Sequence, residues 1–497
     1  MEELAALETF NTFEVCVLPP GKKAVGCRYV FKVKTTPQGD IERYKVRLVA
    51  QGFLQQEGID YNEVFAPVID STSITLLLSI ANQYDWELEQ MDVITAFLHG
   101  RLEEEVYMKI PPRMYINGGA EGKVLRLKGA LYGLKQSSHV WQEMFRKFMI
   151  SEGFTQCVMD TCIYMRGEAD SRIILGIHVD DQVITGPNAM VVKTFKEDMG
   201  KKFKVKDLGP LTHILGVEVK RDRQRRLLTL GQSGFLRGVL ERYGMHECNP
   251  TKLPLAPGTQ FTQNDEPTLP PTPEEITDFR GKVGSLIYAM KQTRLDIGYA
   301  LGVLAKHMGN PGVAHIRALH QLFRYLKGTV NHGLTFVGKD TFEVKGYCDA
   351  SWNSCSMTGK SVTGWVTTVG GTALSWKSQK QSTVAQSTAE AEYIVACSVS
   401  KECCYLKSLL KELKFPNQIT IHTDSTSALS MIQNPVQRQK AKHFNVVYHW
   451  VRECHSTGRL KYVYLAGANQ PADMLTKALP QVLLDRHSKS LGFGRLY

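Results

Sequence analysis

The 497-residue chain is long enough for two to four domains, and its 43% apolar residues can build their cores. No apolar run approaches the roughly 20 residues of a membrane helix, and the acidic N-terminus MEELAALETF is unlike a secretory signal, so we expect no membrane association. The net charge of +11 suits a polyanionic partner, and the eleven scattered cysteines lack the spacing of a zinc site or disulfide framework, which favours a reducing compartment.

The first half of the chain alternates between strand and helix patterns. Residues 22–50 predict a basic β-hairpin with its turn at residues 37–40. Residues 71–84 open with Ser and Thr capping candidates and predict a helix, which a strand carrying Asp92 follows. Apolar side chains at four-residue spacing predict an amphipathic helix over residues 140–149.

The second half begins with a change of composition. The Pro-rich segment 254–275 predicts a linker. One helix is predicted over residues 273–306, and a second over residues 313–328, where a glycine ends it. Beyond about residue 340, strands and helices follow each other as in a separate α/β domain.

Acidic residues interrupt the apolar pattern at two places. Asp92 lies in a predicted strand, and Asp180 and Asp181 lie within residues 173–184, which otherwise predict the two strands of a hairpin. Carboxylates beside a core are costly unless a cation neutralises them. Mg²⁺ would do so, because it prefers carboxylate oxygens and also binds substrate phosphates. The alternative is that Asp-Asp is only turn chemistry at a hairpin tip.

The first half of the chain contains the motifs LKGALYGLKQSSHVW, HVDD and KDLGPLTHILGVEV, and the second contains GYCDASW, SWKSQKQSTVAQSTAEAEY, IHTDSTSAL and NQPADMLTKAL. Taken in order, these motifs resemble the reverse transcriptase and RNase H part of a copia-type LTR retrotransposon polyprotein. The resemblance implies an α+β right-hand polymerase (fingers, palm, thumb) followed by an α/β RNase H-like domain. Fingers and palm would occupy residues 1–235, thumb and connection residues 236–337 with the linker inside them, and the RNase H-like domain residues 338–497.

The resemblance implies a polymerase site that extends a primer by two-metal phosphoryl transfer, with two Mg²⁺ ions or Mn²⁺ as the alternative. Asp92 and Asp180 match the family's paired metal ligands, and Asp181 matches a third, less direct carboxylate. Phe97 matches an aromatic residue that contacts the sugar of the incoming dNTP and excludes a 2′-hydroxyl; the alternative is an ordinary core ring. The other residues expected to bind the dNTP are Gln136, Lys45 and, as the alternative to Lys45, Arg47.

The resemblance also implies an RNase H site with two further Mg²⁺ ions, which cleaves the RNA strand of an RNA:DNA hybrid. The catalytic, metal-binding acids are expected to be Asp349, Glu392, Asp424 and Asp473. Glu390 and Glu392 would point about 200° apart on a helix, so only one can face the metals. The family match selects Glu392.

Some positions depart from the family pattern. His178 precedes Val-Asp-Asp where Tyr is usual, and Ser138 and His139 stand where Pro and Arg are usual. Thr75 stands where Arg is common. Three functional hypotheses therefore remain open: an active reverse transcriptase with RNase H, an inactive relic that binds nucleic acid without turnover, and a protein in which only RNase H works.

The same resemblance supplies the expected partners and location. The partners are an RNA template, DNA, an RNA:DNA hybrid and dNTPs, with the element-encoded capsid protein and integrase as further candidates and no membrane. The expected location is a cytoplasmic virus-like particle, with the nucleus as the alternative. Because Gag, protease and integrase motifs are not found, we expect a fragment, a separate gene product or a relic.

Overall fold

The computed structural model describes most of the chain, namely residues 2–35, 41–116, 119–262, 265, 267, 269–339, 341–355, 357–415, 417–434 and 446–496. The turn predicted at residues 37–40 lies outside the described residues. Within them, none of the helices combines the length and the apolar composition that crossing a membrane requires.

The described residues contain strands and helices throughout. The strands are β1 (Phe13–Val17), β2 (Ala24–Val25), β3 (Cys27–Thr35), β4 (Ile41–Ala50), β5 (Glu87–Val93), β6 (Arg101–Met108), β7 (Lys123–Gly129), β8 (Thr155–Gln156), β9 (Ile163–Arg166), β10 (Ile173–His178), β11 (Asp181–Gly186), β12 (Val205–Pro210), β13 (His213–Ile214), β14 (Val217–Asp222), β15 (Leu227–Gly231), β16 (His332–Val337), β17 (Val344–Cys355), β18 (Lys360–Val369), β19 (Thr372–Lys380), β20 (Thr420–Thr423), β21 (Lys461–Tyr464) and β22 (Phe493–Arg495). The α-helices are α1 (Glu2–Thr9), α2 (Ser71–Gln83), α3 (Ser137–Ser151), α4 (Ala189–Lys202), α5 (Ser233–Arg242), α6 (Pro273–Gln292), α7 (Gly298–Leu304), α8 (Val313–Gly328), α9 (Thr388–Glu412), α10 (Thr426–Gln433), α11 (Val446–Ser456) and α12 (Gln481–Ser490).

The chain forms two compact units. The first contains Met1–Asp70 and Glu87–Leu211, and the second contains Ser71–Trp86 and Thr212–Tyr497. These limits differ from the predicted boundaries at residues 235 and 337. The reason is strand pairing: β14 and β15 pair with each other, and β15 pairs with β16, so the two strands belong to a sheet of the second unit.

The first unit is built around a six-stranded sheet with the order β12-β5-β11-β10-β9-β8. A four-stranded sheet (β1-β7-β6-β2) and the β3-β4 hairpin complete its strands. Helix α3 buries an aromatic face, as the four-residue spacing predicted. The ring of Phe203 packs against three members of that face, Trp141, Phe145 and Phe148, with centroids 5.0–6.1 Å apart.

The second unit contains two five-stranded sheets and a helical core. The first sheet has the order β13-β14-β15-β16-β22. Helices α5 to α8 bury apolar side chains among one another, including Leu236, Val283 and Phe323. The second sheet, β19-β18-β17-β20-β21, is antiparallel from β19 to β17 and parallel from β17 to β21, and α9 packs on β17 and β18.

The helix predicted over residues 273–306 is wrong as a single element. Thr272 caps α6 by accepting a hydrogen bond from the Glu275 amide at 3.2 Å, so the linker ends at residue 272 rather than 275. The helix ends at Gln292, and the residues that follow it make buried polar contacts, as buried polar groups generally do. In particular, the fully buried Arg294 guanidinium donates to Asp296 at 2.7 Å.

The other predicted elements are confirmed. They are the strands of the basic hairpin (β3 and β4), the helix from residue 71 (α2), the strand carrying Asp92 (β5), the amphipathic helix (α3), the hairpin β10-β11, the helix ending at Gly328 (α8) and the α/β region beyond residue 340.

Candidate functional site

The three acids predicted for the polymerase site meet at one end of the six-stranded sheet. β10 and β11 form a hairpin in which His178 pairs with Asp181, so Val179 and Asp180 form a two-residue turn. On its other side Asp181 pairs with Asp92 of β5. Antiparallel pairing therefore brings all three predicted acids, Asp92, Asp180 and Asp181, to the same end of the sheet.

The turn between β10 and β11 has an unfavourable backbone conformation. Val179 has a φ of +59°, and a β-branched residue in this left-handed region costs on the order of 1–3 kcal/mol. The buried indole of Trp141 donates a hydrogen bond to the Val179 carbonyl at 2.7 Å. A rigid ring on α3 thus holds the turn that carries Asp180.

These acids line a cavity of about 1330 Å³ within the first unit. Its wall also contains six cationic residues, which are Arg43, Lys45, Arg47, Arg113, Lys204 and Lys206. The Arg47 guanidinium lies 4.7 Å from the centroid of the Tyr132 ring, which lines the same cavity. Carboxylates suit divalent metal ions and the surrounding cations suit phosphates, so the cavity is chemically suited to a nucleoside triphosphate with its metals.

The structure places two predicted dNTP-binding residues away from this wall. Phe97 is half-buried and meets Tyr132 edge to face, with ring centroids 4.9 Å apart. Gln136 is 1% exposed, accepts a hydrogen bond from Gln55 at 3.0 Å and donates one to the Asp60 carbonyl at 2.8 Å. Neither lines the cavity, whereas Lys45 and Arg47 do.

Tyr132 is the aromatic residue that sequence reasoning missed. It stands four positions before Gln136 in the same motif, LYGLKQ, and its place in the wall depends on the turn that precedes α3. Lys204 and Lys206 were also missed. Lys204 directly precedes β12 and Lys206 lies on it, and a basic stretch gives no specific signal until β12 is seen to pair with β5, where Lys206 is opposite Asp92.

The departures from the family pattern have local contacts. The His139 ring meets the Phe65 carbonyl through Nδ1 at 2.8 Å, and the Thr75 hydroxyl donates to the Ser71 carbonyl at 3.0 Å. His178 is half-buried at the end of β10, and Ser138 is half-buried in the first turn of α3. Each departing residue is therefore accommodated in the fold.

A second acidic site lies in the second unit, at the end of its mixed sheet. Asp349 is on β17, and Asp424 directly follows β20, which runs parallel to β17 with Cys348 beside Thr423. Asp473 lies in a short 3₁₀ helix, Pro471–Leu475. Among the described residues, Asp349, Asp424 and Asp473 are the one set of three potential metal ligands whose ligand atoms all lie within 4.8 Å of one another.

Glu392 adjoins this triad from α9. Its Oε1 accepts a hydrogen bond from the Ala350 amide at 3.0 Å, while Oε2 has no hydrogen-bond partner in the described structure. Burial and the charge of Asp349 raise the pKa of Glu392 to about 9. Glu390 instead accepts a hydrogen bond from the Gln386 amide at 2.7 Å, outside the triad.

The pKa values of two members of the triad, Asp473 and Asp424, are raised. Burial, reinforced by the charge of Asp349, raises the pKa of Asp473 to about 6 and also raises that of Asp424. The Thr476 hydroxyl donates a hydrogen bond to Asp349 Oδ2. Crowded carboxylates with raised pKa values are typical of functional sites, and a bound cation would favour their charged forms.

Lys477 completes the acidic site and was not predicted from the sequence. Its ammonium nitrogen lies 3.0 Å from Asp473 Oδ1 and 3.7 Å from Asp349 Oδ2. Burial works against its charge, but Asp349 and Asp473 outweigh this and raise the pKa of Lys477. The available signal was the four-residue spacing from Asp473 in ADMLTKAL, which is too common among ion pairs to be informative alone.

The residues present fit divalent metals. Three converging aspartates and the unpartnered Oε2 of Glu392 are hard oxygen donors of the kind that Mg²⁺ and Mn²⁺ take. Asp92, Asp180 and Asp181 offer the same donors on the wall of the first cavity.

Comparison with known proteins identifies the family of the chain. The family model for reverse transcriptase (RNA-dependent DNA polymerase) matches residues 10–257. The chain is 40% identical over 487 residues to the retrovirus-related Pol polyprotein from transposon TNT 1-94 of Nicotiana tabacum, covering 97% of this chain and 36% of that protein. It is 36% and 35% identical to the Pol polyproteins from transposons RE2 and RE1 of Arabidopsis thaliana, covering 95% and 98% of this chain and 32% and 33% of theirs.

A second relative from Arabidopsis thaliana and one solved structure also match the chain. An uncharacterized mitochondrial protein of Arabidopsis thaliana is 33% identical over 219 residues, which are 44% of this chain and 87% of that protein. A structure of the foamy viral protease-reverse transcriptase in complex with an RNA/DNA hybrid overlaps 85% of this chain and 49% of that chain at 11% identity, with a TM-score of 0.46. The chain spans about a third of the length of the Pol polyproteins that it matches. It belongs to the reverse transcriptase (RNA-dependent DNA polymerase) family and is similar over nearly its whole length to Pol polyproteins of plant transposons.

Proposed function

We propose that the chain is a retrotransposon reverse transcriptase that extends a primer on RNA or DNA templates and cleaves the RNA strand of RNA:DNA hybrids. The observation that carries the polymerase proposal is the cavity in which Asp92, Asp180 and Asp181 share a wall with six cationic side chains. The triad Asp349, Asp424 and Asp473 carries the RNase H proposal.

In the proposed polymerase, the protein binds and positions its substrates. Arg47 and Lys45, on the β3-β4 hairpin, bind the triphosphate, and Tyr132 provides an apolar surface beside it. Trp141 orients the turn that carries Asp180. Asp92 and Asp180 are the paired ligands for two Mg²⁺ ions or Mn²⁺, and Asp181, paired with Asp92 in the sheet, is a third, less direct carboxylate. When bound, such metals activate the primer hydroxyl and neutralise the leaving diphosphate.

In the proposed RNase H, the converging acids lie beside the phosphodiester of the RNA strand that is cleaved. Asp349, Asp424 and Asp473 bind the metals, and Glu392 adds the oxygen that lacks a partner. Divalent ions in such a set activate water for attack on the phosphate. The expected partners remain the RNA template, DNA, RNA:DNA hybrid, dNTPs, capsid protein and integrase, in a cytoplasmic virus-like particle or the nucleus.

The alternative function is a nucleic-acid-binding relic without turnover. His178 next to the metal-binding turn and His139 in α3 favour it, because both differ from the residues usual in the family. The seven principal acids favour activity, because each occupies one of the two sites described above.

Primer extension on poly(rA)/oligo(dT) with Mg²⁺, comparing the wild type with Asp180→Asn, tests the proposal. We expect extension by the wild type that vanishes in the variant, which should bind the hybrid as tightly. A folded wild type that binds the hybrid with the salt dependence of phosphate contacts, yet never extends the primer, would overturn the polymerase proposal. The chain would then be either a relic or a protein in which only RNase H works.

A further inference from the structure

The metal-binding site proposed for RNase H already contains a cation supplied by the chain. The Lys477 ammonium lies 3.0 Å from Asp473 Oδ1 and 3.7 Å from Asp349 Oδ2. Both aspartates belong to the triad whose oxygens lie within 4.8 Å of one another. An ammonium at these distances occupies space in which a divalent ion would bind the same oxygens.

The burial of the groups shows which of them can leave. The side chain of Asp349 is 5% exposed and that of Asp473 is 17% exposed, whereas that of Lys477 is 46% exposed. The acids are therefore fixed in the fold, and the lysine reaches them from the rim on a long flexible stem. Lysine is a compact point charge whose ammonium can be rehydrated when it swings outward.

The two kinds of cation make different demands on the same oxygens. Mg²⁺ requires oxygen ligands at about 2.0–2.1 Å in near-ideal octahedral geometry. An ammonium within ion-pair distance of those oxygens would repel the metal and obstruct its bound waters. In the metal-free protein the same ammonium offsets the mutual repulsion of three crowded carboxylates.

We propose that Lys477 is a built-in counter-ion that occupies one cation position of the RNase H site and must withdraw before that position binds a divalent ion. Lys477 thus stabilises the metal-free domain and sets the Mg²⁺ concentration at which the site fills. This inference rests on the proposed metal-binding role of the triad, and it concerns metal affinity rather than the presence of activity.

Thermal unfolding of the full chain during a Mg²⁺ titration at constant ionic strength tests the proposal. The reference protein and all Lys477 and Lys489 variants carry Asp180→Asn, so that the polymerase site contributes equally throughout, and this reference protein is called the wild type in this titration. We expect Lys477→Gln to lower the melting temperature without metal and to shift the Mg²⁺ midpoint to a lower concentration by roughly 1.5-fold to fivefold, the range for losing a partly exposed ion pair. Lys477→Arg, which keeps the charge, should restore most of the wild-type midpoint.

Lys489→Gln serves as the matched control, because Lys489 is an exposed lysine of α12, outside the triad. It should leave the midpoint unchanged. A Lys477→Gln midpoint equal to or higher than the wild-type value would overturn the counter-ion role while leaving the metal site intact. Absence of any Mg²⁺ effect in the wild type, Lys477→Gln and Lys477→Arg would overturn the metal site and the counter-ion proposal together.

Discussion

The hydrogen bond from Trp141 to the Val179 carbonyl is the most testable positioning contact of the polymerase site. Trp141→Phe keeps a buried aromatic ring in contact with Phe145 and Phe203 but removes the indole N–H that donates at 2.7 Å. The substitution therefore changes one hydrogen bond with little change in packing.

The expected magnitude follows from the contacts of the turn. A neutral hydrogen bond contributes about 0.5–1.5 kcal/mol to stability, and leaving its partner unsatisfied costs about 1–3 kcal/mol. Because the backbone of Val179 is itself strained, we expect the turn to relax and displace Asp180. A loss of about 1.4 kcal/mol in transition-state stabilisation corresponds to a tenfold decrease in kcat.

The assay is single-nucleotide addition, measured as kcat and as KM for the dNTP, with urea unfolding in parallel. We expect Trp141→Phe to lower kcat about tenfold with little change in KM, because the substitution displaces a metal ligand rather than a triphosphate contact. Trp365→Phe is the matched control: Trp365 is 6% exposed and donates to the Ser398 hydroxyl at 2.9 Å in the second unit. If Trp141→Phe loses the expected stability but keeps its kcat within about twofold of wild type, the reasoning about the turn is refuted.

Three further predictions concern other charged groups. The pKa of Glu392 is raised from 4.5 to about 9, so between these pH values the folded, metal-free protein binds more protons than the unfolded chain, and its stability should fall as the pH rises. In EDTA, Glu392→Gln should flatten this pH dependence of the melting temperature. An unchanged slope would contradict the assignment. Lys196, 9% exposed, forms ion pairs with Glu89 on β5 and Asp207 on β12. Lys196→Met should therefore lower the free energy of unfolding in urea by about 2 kcal/mol, a value reduced from that of a fully buried pair because Asp207 is exposed. No change in this free energy would mean that the ion pairs are dispensable. Arg47→Gln should raise the dNTP KM about tenfold with a smaller effect on kcat, and an effect on kcat alone would place Arg47 outside the triphosphate site.

Sequence patterns were sufficient for the elements whose periodicity is strong. The aromatic stripe of α3 and the apolar hairpin around Asp180 and Asp181 both follow from side-chain spacing. The acids of both sites were found because each belongs to a motif with a fixed order along the chain. The hydrophobic pattern and the motifs are local properties of the chain, so the elements and candidate residues that depend on them can be predicted from the sequence.

The contacts that complete the sites depend on tertiary structure. The donation from Trp141 to Val179 joins residues 38 positions apart, and nothing local distinguishes this tryptophan from a core ring. Gln136 was expected beside the dNTP; in the structure its amide contacts Gln55 and Asp60, partners that the sequence does not indicate, and its contact with the nucleotide stays a prediction. The interruption after Gln292 likewise depends on the buried Arg294 side chain, whose partners are fixed only when the unit has folded.

One measurement tests the two-site account most directly. A single labelled RNA:DNA hybrid with a recessed primer reports both primer extension and RNA cleavage, for the wild type, Asp180→Asn and Asp424→Asn. The account predicts that Asp180→Asn loses extension and keeps cleavage, that Asp424→Asn loses cleavage and keeps extension, and that both activities of the wild type require Mg²⁺. A folded wild type that binds the hybrid but performs neither reaction, or one substitution that abolishes both activities, would contradict it.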